Sequence, residues 1–345
     1  MAADRRRTGR AVTIAEVAAR AGVSSATVSR VMNGRFVGDP EIAERVRGTA
    51  AELNYSPSPV ARSLALGETK AVALVVPDLA NPAFQAVLSG LSKQSSRHGY
   101  RVLVADSGES PEEEALLANE TRRRCDSLVL CAPRMPDAQL GAIITSLQPV
   151  VLINRPSVWE FAPSLSIDYR AGVLSLADHL YELGHRTFVF LNGPEQSASN
   201  ALRLLALDEF GQRHPDVRVE RVPCGVSSDD GYRVSKQVLE TSASAALAYN
   251  DLVAIGVLNG LQELGVDVPG EMSVTGFDGI PSAQYSSPPL TTVSVPYSDL
   301  GVQAWHRLHE LIEGGQPSHN LMFQPRLVVR GTTARFDAAR RDALR

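Results

Sequence analysis

From residue 70 onward, short apolar runs alternate with helical stretches, and this alternation restricts the fold more than any other sequence feature. The strand-like runs are 71–76, 102–105, 127–131, 150–153, 187–191, 245–249 and 273–277. Helical stretches of about ten to fifteen residues, such as 82–98 and 111–123, separate such runs, and that spacing is typical of parallel βαβ units. Because about 265 residues are too many for one such sheet, the pattern predicts two α/β lobes with a cleft between them.

This body carries none of the motifs that common classes of enzyme require. It has no GxxxxGK[ST] phosphate loop, no GxGxxG after its first strand and no GxSxG nucleophile motif. His306 and His309 share a helix face, but no carboxylate or cysteine completes a metal site. Cys125, Cys131 and Cys224 are too scattered for a zinc site or a disulfide framework. We therefore predict a protein that is not an enzyme and that needs neither a metal nor a cofactor.

Charge is distributed unevenly along the chain. The formal net charge is −4 at pH 7. Residues 1–62 hold ten arginines against six acidic residues, a net charge of +4, which leaves −8 on the remainder. A basic head on an acidic body favours contact between the head and a polyanion. No apolar run is long enough to span a bilayer, and no apolar segment follows the basic start. We therefore expect a cytoplasmic, nucleoid-associated protein with no membrane partner.

The head has the helix signals of a helix-turn-helix. Thr13 and Glu16 form a capping box at the start of a short first helix, and Gly22 is placed to end it. Ser24 then caps a second helix over about 25–32, so that two helices of about eight residues are joined by a turn of small residues. Asp39 and the proline after it begin a third helix.

Two stretches of sequence inform the packing and the exposed surface of the head. The apolar stripe of the third helix is expected to cover the first two helices; it consists of Ile42, Val46, Ala50 and Leu53. Arg30 projects from the second helix, and its guanidinium suits the O6/N7 edge of guanine in the major groove. Hydroxyl groups and backbone N–H groups at the helix start suit phosphates. The alternative is a small helical bundle with a serine-rich exposed face.

Here two motifs resemble a known family. VTIAEVAARAGVSSATVSRVMN (12–33), followed by NYSPSPVARSL (54–64), resembles the head and hinge of LacI/GalR-type transcriptional repressors. The resemblance implies that the second helix docks in the major groove and that a hinge over about 58–66 folds on operator DNA. It also implies that Leu64, with Ala61 beside it, enters the minor groove as an apolar wedge. Alternatively, Leu64 packs against the following domain.

One loop departs from the family pattern. After Asn33 the chain carries glycines and a proline, which leaves the register of Arg35 open. The candidate DNA-binding residues are Thr13, Ser24, Ser25, Ala26, Thr27, Ser29, Arg30, Arg35, Ala61 and Leu64.

The body resembles the periplasmic-binding-protein-like effector domain of the same family. The matching segments are VPDLANPAF (76–84), SIDYRAG (166–172), ELGHRTFVFLNGP (182–194), AYNDLVAIG (248–256), VTGFDG (274–279) and PPLTTVSVP (288–296). The resemblance implies a ligand between the lobes, where strand ends meet helix starts. It assigns effector binding to Asn81, Phe84, Ser197, Ser199, Arg203, Asn250 and Asp278, with Asn154 and Tyr297 as further candidates. For each residue the alternative is a helix cap or a satisfied loop group.

Arginine, aspartate and asparagine with few aromatic residues favour a small sugar or polyol, although a nucleobase or an amino acid also fits such a set. The predicted fold class is α plus α/β: a helix-turn-helix head (11–57), a hinge helix or linker (58–68) and a two-lobed effector-binding and dimerisation domain (69–335). We predict a homodimeric, sequence-specific DNA-binding regulator, a repressor that a small polar effector releases from a palindromic operator. The rival interpretation is a cytoplasmic small-molecule sensor without specific DNA binding. Whether the effector acts as inducer or corepressor stays open.

Overall fold

The structure is a computed structural model that describes residues 12–56, 67–156, 162–316 and 320–337. The chain divides into two compact units, Met1–Thr69 and Lys70–Arg345. The predicted hinge positions Ala61 and Leu64 lie outside the described residues.

Three helices form the described part of the first unit: α1 (Ile14–Ala21), α2 (Ser25–Met32) and α3 (Pro40–Glu52). The predicted helix signals are present. Glu16 N–H donates to the Thr13 hydroxyl while the Glu16 carboxylate accepts from Thr13 N–H, and Gly22 ends α1 at φ 68°. The three helices share a core that consists of Val17, Ala18, Ala21, Val28, Val31, Ala43, Val46 and Ala50.

The predicted stripe of α3 is only half right. Val46 and Ala50 are buried, and Leu53 is half-buried but still packs against the core of the head, whereas Ile42 is half-buried and is not part of that core. Ala43 and Thr49 are buried instead. The buried face of α3 is therefore shifted by about one residue from the apolar stripe at Ala43 and Thr49.

The first lobe of the second unit is a six-stranded parallel sheet in the order β11-β5-β4-β3-β1-β2. Its strands are β1 (Ala71–Val76), β2 (Arg101–Asp106), β3 (Ser127–Cys131), β4 (Val150–Ile153), β5 (Ser164–Ile167) and β11 (Leu321–Phe323). Its helices are α4 (Pro82–Arg97), α5 (Pro111–Arg122), α6 (Asp137–Ser146) and α11 (Tyr297–Ile312). Strands β1, β3 and β4 are buried almost throughout, as the continuous apolar runs predict.

The second lobe is a four-stranded parallel sheet in the order β7-β6-β8-β9, with an antiparallel pair formed by β10 and β12. Its strands are β6 (Thr187–Asn192), β7 (Arg218–Pro223), β8 (Ala245–Ala248), β9 (Ser273–Thr275), β10 (Thr292–Ser294) and β12 (Arg326–Val328). Its helices are α7 (Tyr169–Glu182), α8 (Ala198–Arg213), α9 (Ser228–Glu240) and α10 (Asp251–Glu263).

The chain passes between the lobes three times. It leaves the first sheet after Ile167, returns between Ser294 and Tyr297, and leaves again between Phe323 and Arg326. The two-lobed α/β body predicted from the alternating pattern is therefore confirmed. The three crossings also bring Tyr169 to the junction of the lobes, which no local sequence pattern indicated, together with Tyr297, which the family resemblance suggested.

Glycines determine how closely α4 and α11 pack. A Cβ on Gly90 would lie 2.0 Å from the carbonyl oxygen of Ser298, and a Cβ on Gly301 would lie 2.0 Å from that of Val87. Both atoms are backbone, so a side chain at either position forces the helices apart.

We expect Gly90→Ala to lower the free energy of unfolding by about 2–3 kcal/mol, because the added methyl group overlaps rigid backbone. Gly211→Ala is the matched control, since its Cβ would meet nothing within 4 Å in α8. That change is expected to stabilise the protein by about 0.5–1 kcal/mol through the helix preference of alanine. Urea unfolding of both variants measures the two effects, and equal stabilities would contradict the packing described here.

Candidate functional site

A narrow polar cleft lies between the two lobes. Its lining residues are Asn81, Ala83, Phe84, Glu109, Ala132, Arg134, Asn154, Tyr169, Ser199, Arg203, Val226, Tyr249, Asn250, Asp278 and Tyr297. These residues follow the carboxyl ends of the strands, from Asn81 after β1 to Tyr297 after β10. Such strand ends, where the backbone leaves the sheet, are where α/β proteins bind ligands.

Arg203 lines this cleft, and part of its buried guanidinium has no hydrogen-bond partner among the described residues. It is only 2% exposed, and its guanidinium carbon lies 4.4 Å, 4.6 Å and 4.4 Å from the ring centroids of Tyr169, Tyr249 and Phe277. Its Nε and Nη1 atoms have no hydrogen-bond partner among the described residues. Buried donors are normally paired, so these two N–H groups indicate a site for a ligand acceptor.

Asp278 faces the same cleft from a strained backbone position. Its φ is 115°, which a non-glycine residue rarely adopts, and its Oδ1 accepts a hydrogen bond from the Tyr297 hydroxyl at 2.6 Å. Burial raises the pKa of Asp278 to about 6, while Arg203 and the Tyr297 hydroxyl oppose that shift. At neutral pH the carboxylate is therefore available as an acceptor beside the donors of Arg203.

A second buried carboxyl group, that of Asp251, lies beside Asp278. Asp251 accepts hydrogen bonds from Ile280 N–H at 2.8 Å and from the Thr292 hydroxyl at 2.5 Å. Burial, followed by repulsion from Asp278, raises the pKa of Asp251 to about 8. Asp251 therefore joins the start of α10 to the turn after β9 that positions Asp278.

These two carboxyl groups predict how stability depends on pH. Both folded-state pKa values lie above the usual 3.8, so the stabilising contribution of each group is complete below about pH 4 and is lost as pH rises to about 6 for Asp278 and to about 8 for Asp251. We expect the free energy of unfolding to fall between about pH 4 and 8, and to fall less for the Asp251→Asn variant. Urea titrations across this range measure the difference, with the exposed Asp229→Asn as control. Parallel profiles for Asp251→Asn and the parent protein would contradict this account.

Several residues predicted at the site also perform local structural roles. Asn81 and Asn250 line the cleft, but their side-chain oxygens accept from Ala83 N–H and Val253 N–H as helix caps. Phe84 lines the cleft as an apolar wall and is 8% exposed. The structure therefore brings both asparagines and Phe84 to the cleft while leaving their ligand contacts a prediction.

The two predicted serines differ in position. Ser199 lines the cleft, whereas Ser197 caps α8 and is not among the lining residues. Both hydroxyls lie within hydrogen-bond distance of the Tyr249 hydroxyl, at 2.9 Å for Ser197 and 3.1 Å for Ser199. The serines therefore fix the Tyr249 ring against Arg203.

Sequence reasoning missed four lining residues with charged or aromatic side chains and underestimated the aromatic content of the site. Tyr169, Tyr249, Glu109 and Arg134 were not predicted, although each directly follows a strand or lies in the turn after one. With Phe84 and Tyr297 also present, four aromatic side chains line the cleft. The expectation of few aromatic residues around the ligand was therefore wrong, because the rings come from segments far apart in the chain.

In the first unit, most of the predicted DNA-contacting residues lie at the N-cap of α2 or within α2. Ser24, Ser25, Ala26 and Arg30 are exposed, while Thr27 and Ser29 are half-buried. The Ser24 hydroxyl accepts from Thr27 N–H and lies 3.0 Å from the Thr27 hydroxyl, so it both caps the helix and remains exposed. Thr13 and Arg35 are exposed on the flanking segments.

Among residues 12–56, 67–156, 162–316 and 320–337, no group of three or more His, Cys, Asp or Glu side chains is arranged to hold a metal ion. No helix within the same ranges is long and apolar enough to cross a membrane.

A helix-turn-helix unit and a two-lobed α/β unit with an internal polar cleft, on one chain, define the class of ligand-binding transcriptional regulators. Residues 13–58 match the family model for bacterial regulatory proteins of the lacI family, and residues 177–333 match the periplasmic binding protein-like domain. The chain belongs to the LacI family, and it is a DNA-binding regulator of transcription. The resemblance stated from the sequence is confirmed.

Two repressors and one solved structure show the extent of this similarity. The repressor CytR of Escherichia coli (strain K12) is 28% identical, over 94% of this chain and 96% of that protein. The repressor PurR of Klebsiella pneumoniae (strain 342) is 30% identical, over 93% of this chain and 97% of that protein. The Lac repressor dimer bound to operator and the anti-inducer ONPF has a TM-score of 0.82 and 28% identity, over 94% of this chain and all of that chain. These relatives are transcriptional repressors rather than enzymes.

Proposed function

We propose that this chain acts as a homodimeric repressor that binds a palindromic operator and that dissociates from it when a small polar effector binds in the cleft. The observation that carries the effector part is Arg203, a buried guanidinium with two unpartnered donors beside the Asp278 carboxylate. A buried charge without hydrogen bonds destabilises a fold. Its presence is therefore best explained by a ligand that supplies the missing acceptors.

The head supplies the DNA contacts in this proposal. Arg30 contacts a guanine edge from α2, and the hydroxyl groups at the start of the helix contact phosphates. Arg35 adds a contact from the following loop, and residues 58–68 form the hinge in which Ala61 and Leu64 reach the minor groove. The proposed contacts are those of Thr13, Ser24, Ser25, Ala26, Thr27, Ser29, Arg30, Arg35, Ala61 and Leu64.

The cleft favours a compact molecule with a ring. Aromatic side chains suit the flat or C–H face of a ring, while Arg203, Asp278 and Asn250 suit its polar edge. Sugars and nucleosides both have this combination. Asn81, Phe84, Ser199, Asn154 and Tyr297 complete the proposed contacts, and Ser197 acts through Tyr249.

The effector is proposed to act through the two lobes. Because its contacts come from both lobes, the effector binds best to the relative position of the lobes that matches its own shape. It therefore shifts the conformational equilibrium of the protein toward that position. If that arrangement binds operator less well, the operator must weaken effector binding by the same factor.

Exposed apolar side chains on each lobe support a dimer. On the first lobe, Leu103 of the edge strand β2 is 36% exposed and Leu116 of α5 is 52% exposed. On the second lobe, the exposed residues are Tyr232, Leu239 and Leu264 of the α9 and α10 region. Apolar surface of this kind is common where two copies of a chain associate.

One experiment tests the proposal as a whole. The full chain is used to select operator fragments from random DNA, and their binding is measured over a range of salt concentrations with and without candidate metabolites. We expect an enriched palindrome, a steep loss of affinity with salt and release by at least one metabolite. Binding of a metabolite without preference for any DNA fragment would instead favour the small-molecule sensor.

A further inference from the structure

The edge of the first-lobe sheet that lies opposite the cleft is basic. In a parallel sheet all strands begin at one edge, and the helices that connect them end there. Lys70 directly precedes β1, Arg101 begins β2, and Arg97 is the last residue of α4. Arg123 and Arg124 lie in the turn between α5 and β3. All five residues are exposed, and together they form a surface that we call the basic edge.

Backbone hydrogen bonds show that the segments of the basic edge are neighbours. Arg101 N–H donates to the carbonyl of Lys70 at 2.9 Å, and Asp126 N–H donates to that of Ala71 at 2.9 Å. Lys70 N–H in turn donates to the Asp126 carboxylate at 2.8 Å. The starts of β1, β2 and β3 therefore lie side by side, and the basic residues beside them share one surface.

Of the three consecutive arginines at the end of α5, only one bonds within the described fold. The Arg122 guanidinium donates to three backbone carbonyl oxygens at 2.9, 2.6 and 2.6 Å. It also supplies the basic residue that stabilises the carboxyl end of a helix. The side chains of Arg123 and Arg124 form no hydrogen bond or ion pair with a described residue. The fold therefore leaves their guanidinium groups available to an external partner.

The charge of the basic edge differs from that of the rest of the body. Most exposed arginines elsewhere on the described body form ion pairs with carboxylates, namely Arg170, Arg213, Arg218, Arg221 and Arg233. None of the four arginines of the basic edge forms an ion pair with a described residue. Within two residues of the edge along the chain, the only carboxylates are those of Glu68 and Asp126. A positive surface therefore occurs on a part of the chain, residues 63–345, whose formal net charge is −8.

The segment that connects the head to the body ends at this edge. Lys70 follows residues 57–69, which span at most about 45 Å when fully extended. When the head binds operator, the basic edge is therefore tethered to the same duplex. Tethering gives a high effective concentration, so that contacts too weak to bind DNA alone add to the affinity of the whole chain.

We propose that the basic edge of the body contacts DNA phosphates in the operator complex and adds affinity that does not depend on sequence. The inference rests on the proposed operator function and adds a second DNA-contacting surface to that of the head. Guanidinium groups bind phosphate oxygens through paired hydrogen bonds, and such contacts hold a protein on the duplex without reading its bases.

The salt dependence of operator binding tests this inference on the full chain. Arg123→Gln combined with Arg124→Gln removes two positive charges from the basic edge of each protomer. If each arginine contacts one phosphate, the dimer loses four contacts. The slope of log K against log salt concentration is then expected to become shallower by about 3–4. The order of preference among operator fragments is expected to stay the same, because no contact with a base is lost.

Two further double variants assign the effect to this surface. Arg213→Gln combined with Arg218→Gln removes the same two charges from exposed positions of the second lobe, and it is expected to leave the slope unchanged. Arg123→Lys combined with Arg124→Lys keeps the charges of the basic edge, and it is expected to retain most of the parent slope because lysine also binds phosphate. Urea unfolding and sedimentation establish that each variant is folded and associates as the parent protein does.

Ethylation of individual operator phosphates locates the contacts. We expect some ethylated phosphates to weaken binding of the parent protein but not of the Arg123→Gln, Arg124→Gln variant. If that variant is unstable or associates differently, Arg97→Gln combined with Arg101→Gln tests the other end of the basic edge with the same expected results. An unchanged slope, or an interference pattern identical to that of the parent protein, would overturn the inference.

The outcomes also separate this inference from the proposed function on which it rests. If the parent protein selects no operator, the operator function fails together with the inference. If the parent protein selects an operator but removing the arginines lowers affinity without changing the salt slope, these arginines act within the protein, and only the contact between body and DNA is wrong.

Discussion

Replacing Arg203 with methionine is expected to abolish the response to effector while leaving operator binding intact. The two buried donors of Arg203 are free to bind the ligand, and hydrogen bonds to a charged group contribute about 1.5–3 kcal/mol each. Loss of two such bonds weakens effector binding by at least about 100-fold. Release of a labelled operator fragment over a range of effector concentrations measures the change. A variant that still releases operator at the usual effector concentration would show that another residue holds the ligand.

The same substitution is expected to stabilise the protein in the absence of effector. Replacing buried ionic groups by apolar side chains of similar volume can add about 1–4 kcal/mol, provided that no unpaired charge is left behind. The pKa of Asp278 is about 6 in the parent protein, where Arg203 lowers it. Removing Arg203 therefore raises the pKa of Asp278 further, so that near pH 5.5 this carboxyl group is mostly protonated and needs no counter-charge. Urea unfolding tests this, with Arg213→Met, at an exposed position of the same helix, as the control. A destabilised Arg203→Met would indicate that Arg203 contributes mainly to packing.

Replacing Arg30 with alanine is expected to remove most of the sequence preference of the head. A bidentate contact between arginine and guanine accounts for about 1–3 kcal/mol of discrimination. A dimer on a palindrome makes this contact twice, so the loss of affinity for operator reaches about 2–6 kcal/mol. Arg30 is exposed on α2, and its Nε donates at 3.3 Å only to the carbonyl of Ala26, one turn earlier, so removing its side chain leaves the core of the head intact.

Selection of operators by the Arg30→Ala variant measures this effect directly. The preference for one guanine in each half-site is expected to disappear. Nonspecific affinity is expected to fall only by the small amount that results from losing one positive charge in each head. Arg47→Ala provides the control, because Arg47 is exposed on α3 and lies outside the predicted contact set. If Arg30→Ala selects the same operator as the parent protein, α2 does not contact bases through this residue.

The sequence predicted those parts of the fold that depend on short segments. The capping box of Thr13 and Glu16, the positive φ of Gly22 and the proline after Asp39 gave the helix ends of the head. Continuous apolar runs gave β1, β3 and β4, because a strand buried on both faces needs apolar residues at every position. The edge strand β7 (Arg218–Pro223) was missed because its exposed positions carry charged residues.

The sequence by itself determined the order of the elements, the class of fold and the family, since these depend on caps, periodicity and contiguous motifs. Only the tertiary structure decided the chemistry of the cleft. Tyr169, Tyr249 and Phe277 surround Arg203 from three separate segments, and Arg134 reaches Glu109 from the loop after another strand. The physical reason is that strand order and the crossings between lobes bring these ends together, and no local pattern encodes which strand ends become neighbours.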